Sequence, residues 1–299
     1  ICAEEVAARA SAAEPMASVT FGGKVVWITG ASSGIGRSLA LAFNRAGARL
    51  ILSARSHERL ELVKRDCRPD AEVHVLPFDL ADTEHLPAHT ANALAKFGHV
   101  DYMVHNAGVA LRDRVINTGL EIDRRIMTTN YFGPIALTKA LLPSMLQRRS
   151  GCFVVVSSLS GSYGGPQLSA YAASKHALHG FFESLRAEVH ADGIRITVIT
   201  PGFIRTQIAE HALTGTGDPY GKALQVHERG MDPDRCATRM LKTIAHRKEE
   251  ALVGGVEVYS VYLKRFFPAL LSVLVRSHPV RLRNRLLHWM SFGTRGSRP

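Results

Sequence analysis

The chain has 299 residues, of which 46% are hydrophobic and 21% charged, and this composition excludes an intrinsically disordered chain. Its four cysteines, Cys2, Cys67, Cys152 and Cys236, form no C-x-x-C pair, so the sequence predicts neither a disulfide framework nor a metal site. The formal net charge is +11, and residues 256–299 hold eight of the basic residues against one acid.

Short apolar segments alternate along the chain with segments of helical periodicity. We predict strands at 24–29, 49–54, 72–80, 101–108, 152–158, 194–200 and 250–255, and helices at 38–48, 57–66, 83–97, 120–147, 168–191 and 232–246. Strands that are almost wholly apolar belong in a parallel sheet covered on both faces. The sequence therefore predicts an α/β fold: one doubly wound, Rossmann-type parallel sheet flanked by helices, over residues 20–255.

A glycine-rich loop, "TGASSGIGR" at 29–37, follows the first predicted strand and opens the first helix. Its glycines, at 30, 34 and 36, do not have the G-x-G-x-x-G spacing of the general dinucleotide fingerprint. Glycines still let a backbone approach a pyrophosphate, which the helix N-terminus stabilises. A simple tight turn is the alternative, but the position at the first strand–helix junction favours a nicotinamide dinucleotide.

The end of the second strand bears on which nicotinamide cofactor is used. It reads Ser53-Ala54-Arg55-Ser56 and lacks the acid that binds the ribose 2′-hydroxyl of NAD. Arg55, together with Arg37 at the head of the first helix, can pair with a 2′-phosphate. Both could instead be solvated surface arginines. The missing acid and the added base favour NADP(H).

Tyr171 and Lys175 are four residues apart in a predicted helix and so share one face. A neighbouring ammonium lowers the pKa of a phenol, and the phenol can then exchange a proton with a carbonyl that receives hydride. Such a pair arises often by chance. Here Ser158 ends the fifth strand, where ligands of open α/β sheets bind, although a serine at a strand end is often only a cap.

Taken together, these segments resemble the short-chain dehydrogenase/reductase family over about residues 20–255. The matching motifs occur in order: "TGASSGIG", "NAG" at 106–108, the Asn of "TTNYFG", Ser158, "YAASK" and "PGFIRT". The resemblance implies that Tyr171 is the general acid/base and that Lys175 lowers its pKa and binds the nicotinamide ribose. It also implies that Ser158 orients the carbonyl and that Asn130 helps hold a water connected to Lys175. Ser158 and Tyr171 are the implied substrate contacts.

The same resemblance implies a set of cofactor-binding residues: Gly30, Ser32, Ser33, Gly34, Ile35, Gly36, Arg37, Arg55, Ser56, Asp79, Leu80, Asn106, Ala107, Gly108, Tyr171, Lys175, Pro201, Gly202, Ile204 and Thr206. Ser33 departs from relatives that carry a base there, which weakens the NADP(H) prediction slightly. Taken without the resemblance, Asp79 is a helix cap and Asn130 a helix amide with local hydrogen bonds.

The basic extension at 256–299 contains "YSVYLKRFFPALLSVLVR", whose ten-residue apolar run is interrupted by Pro268. The run is too short to span a bilayer. We expect a basic amphipathic helical extension that lies peripherally on a membrane, with apolar side chains in the acyl boundary and arginines on phosphates. A helix that roofs the substrate pocket or a dimer groove is the alternative. The extension has neither an aromatic surface for base stacking nor the pattern of a helix that contacts bases, so its charge does not indicate nucleic-acid binding.

The sequence also suggests a substrate class, an oligomeric state and a location for the protein. The tail resembles those of membrane-associated, NADP-dependent members, namely eleven-beta hydroxysteroid dehydrogenase-like and acyl-dihydroxyacetone-phosphate reductase-like proteins. We therefore expect interconversion of a ketone and a secondary alcohol on a lipophilic substrate, by a homo-oligomer in the cytoplasm or peripherally on a membrane. A catalytically silent NADPH-binding scaffold or sensor at a membrane surface is the alternative. Residues 1–19, which lack the pattern of a signal peptide, are expected to be a disordered leader or tag.

Overall fold

The computed structural model describes residues 20–276, so the predicted leader at 1–19 and the end of the predicted extension, 277–299, lie outside the described residues. Its centre is a seven-stranded sheet in the order β3-β2-β1-β4-β5-β6-β7, with every neighbouring pair parallel. The strands are β1 Val25–Thr29, β2 Arg49–Ser53, β3 Val73–Val75, β4 Tyr102–His105, β5 Gly151–Val156, β6 Ile194–Pro201 and β7 Glu250–Val253. The predicted doubly wound sheet is confirmed.

Ten α-helices lie within residues 20–276. They are α1 Gly34–Arg45, α2 His57–Arg65, α3 Leu86–Phe97, α4 Leu120–Met127, α5 Gly133–Arg148, α6 Ser169–Val189, α7 Gln225–Glu228, α8 Pro233–Ala245, α9 Ser260–Phe266 and α10 Pro268–Arg276. A π-helical turn, Thr128–Phe132, joins α4 to α5.

The strands are apolar because both faces of the sheet are covered. Along β1, Val26 and Ile28 enter one buried cluster, whereas Val25 and Trp27 enter the other. Side chains alternate between the faces of a strand, so a strand between two helical layers needs apolar residues at every position. Packing on both faces holds the sheet in place, and the sheet in turn positions the loops at its carboxyl edge.

Two predicted elements differ from the observed ones. The strand predicted at 72–80 shortens to Val73–Val75, although beyond it the Leu76 and Phe78 N–H groups still donate to the Leu52 and Ala54 carbonyls. The single helix predicted at 120–147 is divided by the π-helical turn. Pro134, in the first turn of α5, has no N–H with which to bond the Asn130 carbonyl four residues earlier, so regular α-helical bonding cannot pass through this point.

The described part of the predicted extension forms a C-terminal hairpin, α9 and α10 (260–276), that follows β7. Its base is fixed by Glu257, whose Oε1 accepts hydrogen bonds from the Phe203 N–H at 3.0 Å and the Gly255 N–H at 2.9 Å. The hairpin thus starts beside the exit of β6, at the carboxyl edge. Among residues 20–276, no helix has the length and apolarity needed to cross a membrane.

Candidate active site

A cleft of about 1090 Å³ opens at the carboxyl edge of the sheet. The strand order runs outward in opposite directions from β1 and β4, so this is the switch point at which open α/β sheets bind ligands. The cleft is lined by the residues that follow β1, β2, β4, β5 and β6. The sequence motifs, which are far apart along the chain, therefore meet in one place.

The glycine loop between β1 and α1 forms one end of the cleft. Gly30 and Gly34 have φ angles of 66° and 51°, in the left-handed region that favours glycine. The Ser33 side chain makes no capping hydrogen bond to α1, and the first turn of α1 contains no acidic residue. Free N–H groups at a helix N-terminus with no competing carboxylate fit a pyrophosphate. These residues accordingly fit a dinucleotide cofactor.

Most of the predicted site residues line this cleft. They are Gly30, Ser32, Ser33, Gly34, Ile35, Arg37, Arg55, Ser56, Asp79, Leu80, Asn106, Ala107, Gly108, Ser158, Tyr171, Lys175, Pro201, Gly202, Ile204 and Thr206. Gly36 and Asn130 do not line it; they lie behind its walls and support the segments that do. A Cβ at Gly36 would overlap the Gly30 carbonyl oxygen, so Gly36 allows α1 to pack against the loop.

Asn106 ties the end of β4 to the glycine loop. Its Nδ2 donates to the Thr29 carbonyl at 3.0 Å, and the Thr29 hydroxyl accepts from the Asn106 N–H at 3.2 Å. Asp79 lines the same side of the cleft, and its Oδ1 also accepts from the Ala81 N–H at 2.9 Å. This is a turn bond two residues along the chain; Asp79 does not cap the following helix, α3, whose N-cap is His85.

The end of the cleft beyond β2 is basic. Ala54 occupies the position of a ribose-binding acid, and Arg55 and Arg59 both line the cleft there. Arg59 was not among the predicted residues, although its position in the first turn of α2, close to Arg55, could have indicated it. Arg37 lines the cleft as well, but its Nη2 lies 2.8 Å from the Asp66 carboxylate. One of the two arginines predicted to receive a 2′-phosphate is thus already paired.

Tyr171 and Lys175 lie in the first two turns of α6, as predicted. Both are buried, and the Lys175 Nζ donates to the Val156 carbonyl oxygen at 2.9 Å. Ser158 follows β5 directly, and its Oγ accepts from the Ser160 N–H at 3.2 Å. Because its oxygen is fixed as an acceptor, the Ser158 hydroxyl proton remains available for a ligand or for Tyr171.

The electrostatics differ from the expectation that Lys175 lowers the pKa of Tyr171. Burial raises the pKa of the Tyr171 phenol, and only its hydrogen bond with Ser158 works in the other direction. Burial also lowers the pKa of Lys175 to about 8. The Lys175 Nζ is 5.9 Å from the centre of the Tyr171 ring. In the residues of the chain alone, burial is the main influence on Tyr171, which stays a neutral phenol, the form that donates a proton.

Asn130 is fully buried in the π-helical turn behind the cleft. Its Oδ1 accepts from the Val109 N–H at 2.7 Å, while its Nδ2 donates to the Val109 carbonyl at 2.9 Å and to the Ser174 Oγ at 3.0 Å. The side chain therefore holds the loop after β4 against α6. The predicted water contact to Lys175 stays a prediction.

The far wall of the cleft comes from residues that the sequence did not single out. Ile208, His211, Leu213 and Pro219, from the segment after β6, line it together with Arg125 of α4. This segment is a loop with isolated bridges rather than a helix or strand, so no periodicity identified its inward side chains. Leu213 and Ile208 of this wall belong to the same apolar cluster as Tyr171.

The chain is similar to known proteins over most of its length. The family model for short chain dehydrogenase matches residues 24–216. The chain belongs to this family. It is 43% identical over 268 residues to the dehydrogenase/reductase SDR family protein 7-like of Drosophila melanogaster, covering 88% of this chain and 82% of that protein. It is 41% identical over 261 residues to dehydrogenase/reductase SDR family member 7B of Bos taurus, covering 85% and 80%.

Solved structures of short-chain dehydrogenases match the fold closely. One from Streptomyces avermitilis has a TM-score of 0.74 at 28% identity and covers 93% of this chain and 99% of its own. An alcohol dehydrogenase from Thermococcus sibiricus, complexed with 5-hydroxy-NADP, has a TM-score of 0.67 at 29% identity and covers 78% and 97%. This short-chain dehydrogenase is thus an oxidoreductase of a family that binds nicotinamide cofactors. The finer resemblance to eleven-beta hydroxysteroid dehydrogenases gains no support from these comparisons.

Proposed function

We propose that this short-chain dehydrogenase is an NADP(H)-dependent enzyme that interconverts a ketone and a secondary alcohol on a lipophilic substrate. The observation that carries the proposal is the convergence of Ser158, Tyr171 and Lys175 on one wall of a cleft whose other end fits a dinucleotide. A scaffold that only bound the cofactor would have no need of a buried phenol and ammonium beside a strand-end serine.

When bound, the nicotinamide cofactor supplies the hydride. The residues of the chain handle the carbonyl oxygen: the Ser158 O–H donates a hydrogen bond to it, and the Tyr171 Oη gives it a proton as negative charge develops. Lys175, whose pKa burial lowers to about 8, stabilises the phenolate that remains. In the direction of alcohol oxidation, Tyr171 takes the proton back.

The preference for NADP(H) rests on charge at the adenosine end. Arg55 and Arg59 line the cleft there, and Ala54 supplies no carboxylate to compete for them. A 2′-phosphate placed between two guanidinium groups gains charge-assisted hydrogen bonds that the hydroxyl of NAD does not form. This arrangement supports discrimination between the two cofactors.

The proposal of a lipophilic substrate is supported by four apolar residues that line the cleft: Val109, Ile208, Leu213 and Pro219. The C-terminal hairpin supports delivery from a membrane surface, because it starts at the same edge and exposes Tyr262, Phe266, Phe267 and Leu270 beside two basic residues. The exposed face of α6 carries small side chains at Ala173, Gly180 and Ala187, which allow close helix packing and support a homo-oligomer.

The test is a substrate screen with NADPH and NADH, followed by nicotinamide absorbance, over steroid ketones and alkan-2-ones. Decan-2-one and butan-2-one form a matched pair with the same reacting group. At about 0.8 kcal/mol for each buried methylene, we expect kcat/KM to favour decan-2-one by roughly a hundredfold or more. Tyr171→Phe should bind NADPH normally and lose turnover. Turnover that is unaffected in this variant, or equal kcat/KM for the two ketones, contradicts the mechanism or the substrate class respectively.

A further inference from the structure

We propose that His179 is a positioning residue of this active site: as a neutral imidazole it holds Ser157 and thereby sets the distance between Ser158 and Tyr171. The proposal rests on the proposed reductase function, since positioning has a readout only if Ser158 and Tyr171 act together. His179 does not line the cleft and touches no substrate.

The end of β5 is attached to α6 at consecutive residues. The Val156 carbonyl accepts from the Lys175 Nζ at 2.9 Å, and the Ser157 Oγ lies 2.8 Å from the His179 Nε2. Lys175 and His179 are one helical turn apart. The strand end is therefore held at two points along the helix rather than at one.

Ser158 is the next residue in the chain, and its side chain hydrogen-bonds that of Tyr171. Tyr171 lies one helical turn before Lys175. Tyr171, Lys175 and His179 are spaced by four residues and share one face of α6. A rotation of the backbone at Ser157 would move Ser158 directly, so the bond to His179 restrains the orienting hydroxyl.

The contact between Ser157 and His179 is tightly enclosed. Ser157 is buried, and a Cβ built on Gly161 would lie 2.5 Å from the Ser157 Oγ and 2.9 Å from the His179 Nε2. Gly161 therefore leaves no room for a side chain at this point and lets the loop after β5 close over the pair. A substitution at His179 changes the pair itself rather than a solvated surface contact.

The surroundings favour the neutral ring. Burial lowers the pKa of His179, and the positive charges of His176 and Lys175 lower it further, while Glu183 on α6 and Glu250 on β7 raise it in part. The Glu183 carboxylate lies 3.7 Å from the His179 Nδ1, too far for a hydrogen bond, and its negative charge favours the tautomer that we propose, with the ring proton on Nδ1. The Nε2 then accepts the hydrogen bond, and the Ser157 O–H is the donor.

Protonation of His179 reverses this arrangement, because both ring nitrogens become donors. The Ser157 hydroxyl can then no longer donate to Nε2 and must rotate. Turnover should consequently fall at acid pH, with a midpoint below the ordinary histidine value of 6.5.

The experiment compares His179→Leu, His179→Gln and Ser157→Ala with the wild type, using NADPH and the ketone most rapidly reduced in the screen above. Loss of one oriented hydrogen bond should reduce kcat about tenfold in His179→Leu and Ser157→Ala, with KM for NADPH within about twofold. His179→Gln, whose amide oxygen accepts in place of Nε2, should keep at least half of the wild-type kcat and lose the acid limb. His190→Gln, an exposed histidine beyond the same helix, is the matched control and should keep both.

Wild-type kcat in the folded His179→Leu and Ser157→Ala proteins would overturn the proposal. So would a His179→Gln variant that is as impaired as His179→Leu, or one that keeps the acid limb of the wild type. Circular dichroism verifies folding, and Ser157→Ala remains informative if His179→Leu does not fold. Two-bond ¹H–¹⁵N spectra of the histidine rings need no substrate. The His179 signals are identified by their absence in His179→Gln, and they should show the Nδ1–H tautomer. An Nε2–H tautomer refutes the positioning role alone, whereas an active Tyr171→Phe refutes the reductase mechanism.

Discussion

The Arg37 guanidinium lies 2.8 Å from the Asp66 carboxylate although Arg37 also lines the basic end of the cleft. Both side chains are about half exposed, so their pairing is a weak surface interaction that a phosphate can compete with. Asp66 therefore acts against the contact that the sequence predicted for Arg37.

Replacing Asp66 with Asn should release Arg37 toward the 2′-phosphate. We expect the Kd for NADPH to fall about two- to fivefold, as for an exposed ion pair, while the Kd for NADH stays constant. Fluorescence titration with both cofactors measures this. Glu72→Gln, which removes the exposed pair with Arg49 away from the cleft, is the control. An equal change for both cofactors would show that Arg37 does not sense the 2′-phosphate.

Replacing Arg55 with Asp should reverse the cofactor preference. A carboxylate there repels a 2′-phosphate and can accept from the ribose hydroxyl of NAD, so NADPH should bind at least tenfold more weakly and NADH more tightly. The measurement is kcat/KM with each cofactor. Arg65→Asp, at an exposed position at the end of α2, serves as the charge-matched control. Unchanged NADPH affinity in Arg55→Asp refutes the assigned contact.

Gly36→Ala should destabilise the fold and the cofactor loop together. Its Cβ would overlap the Gly30 carbonyl oxygen, a backbone atom that cannot move without shifting the loop. The expected loss is about 1–3 kcal/mol in the free energy of unfolding, measured in urea, with weaker NADPH binding. Gly164→Ala is the comparison, since a Cβ there meets nothing within 4 Å. Equal stability of the two variants would show that the packing at Gly36 is loose.

Lys175 should give the stability a pH dependence of defined sign. Its pKa is about 8 in the folded chain and 10.5 in the reference state, so between these values the unfolded chain binds more protons and Lys175 makes stability rise with pH. Below about pH 8 the buried charge costs stability. The buried thiols of Cys67, Cys152 and Cys236 act oppositely above about pH 9, because burial raises each pKa.

A comparison of Lys175→Met with the wild type isolates the lysine. The difference between their free energies of unfolding should change by up to about 3 kcal/mol in favour of the wild type as pH rises from 8 to 10.5. Exposed Lys139→Met is the control, and its difference from the wild type should be constant. A constant difference for Lys175→Met as well would mean that Lys175 is not desolvated.

Phe266→Ser should weaken binding to anionic vesicles. Phe266 is 69% exposed on the hairpin, next to Lys264 and Arg265, and its ring is suited to the acyl boundary. We expect a several-fold lower fraction bound in sedimentation with phosphatidylserine-containing vesicles, and lower binding of the wild type at high salt. Leu62→Ser, a 55% exposed side chain of α2, should bind as the wild type does. Equal binding of the two serine variants would argue against a membrane role for the hairpin.

The sequence predicted the sheet, and a shared site for Ser158, Tyr171 and Lys175, because each depends on local patterns. Apolar runs identify strands buried on both faces, and glycines and a Tyr–Lys spacing of four mark the loop and helix at the carboxyl edge. Contacts between distant segments were not predictable in this way. The pairing of Arg37 with Asp66, and of Ser157 with His179, depends on side-chain placement that no spacing encodes. The raised pKa of Tyr171 likewise results from burial, which residue spacing does not reveal.

The single carboxylate of Glu257 holds two backbone N–H groups, one at Phe203 after β6 and one at Gly255 before the C-terminal hairpin. The rim of the cleft and the foot of the hairpin consequently share one anchor. A displacement of Glu257 would therefore disturb both the backbone between Gly202 and Ile204 and the start of α9. Glu257 thus couples the C-terminal helices to the part of the cleft near Ile204, where the nicotinamide is predicted to bind.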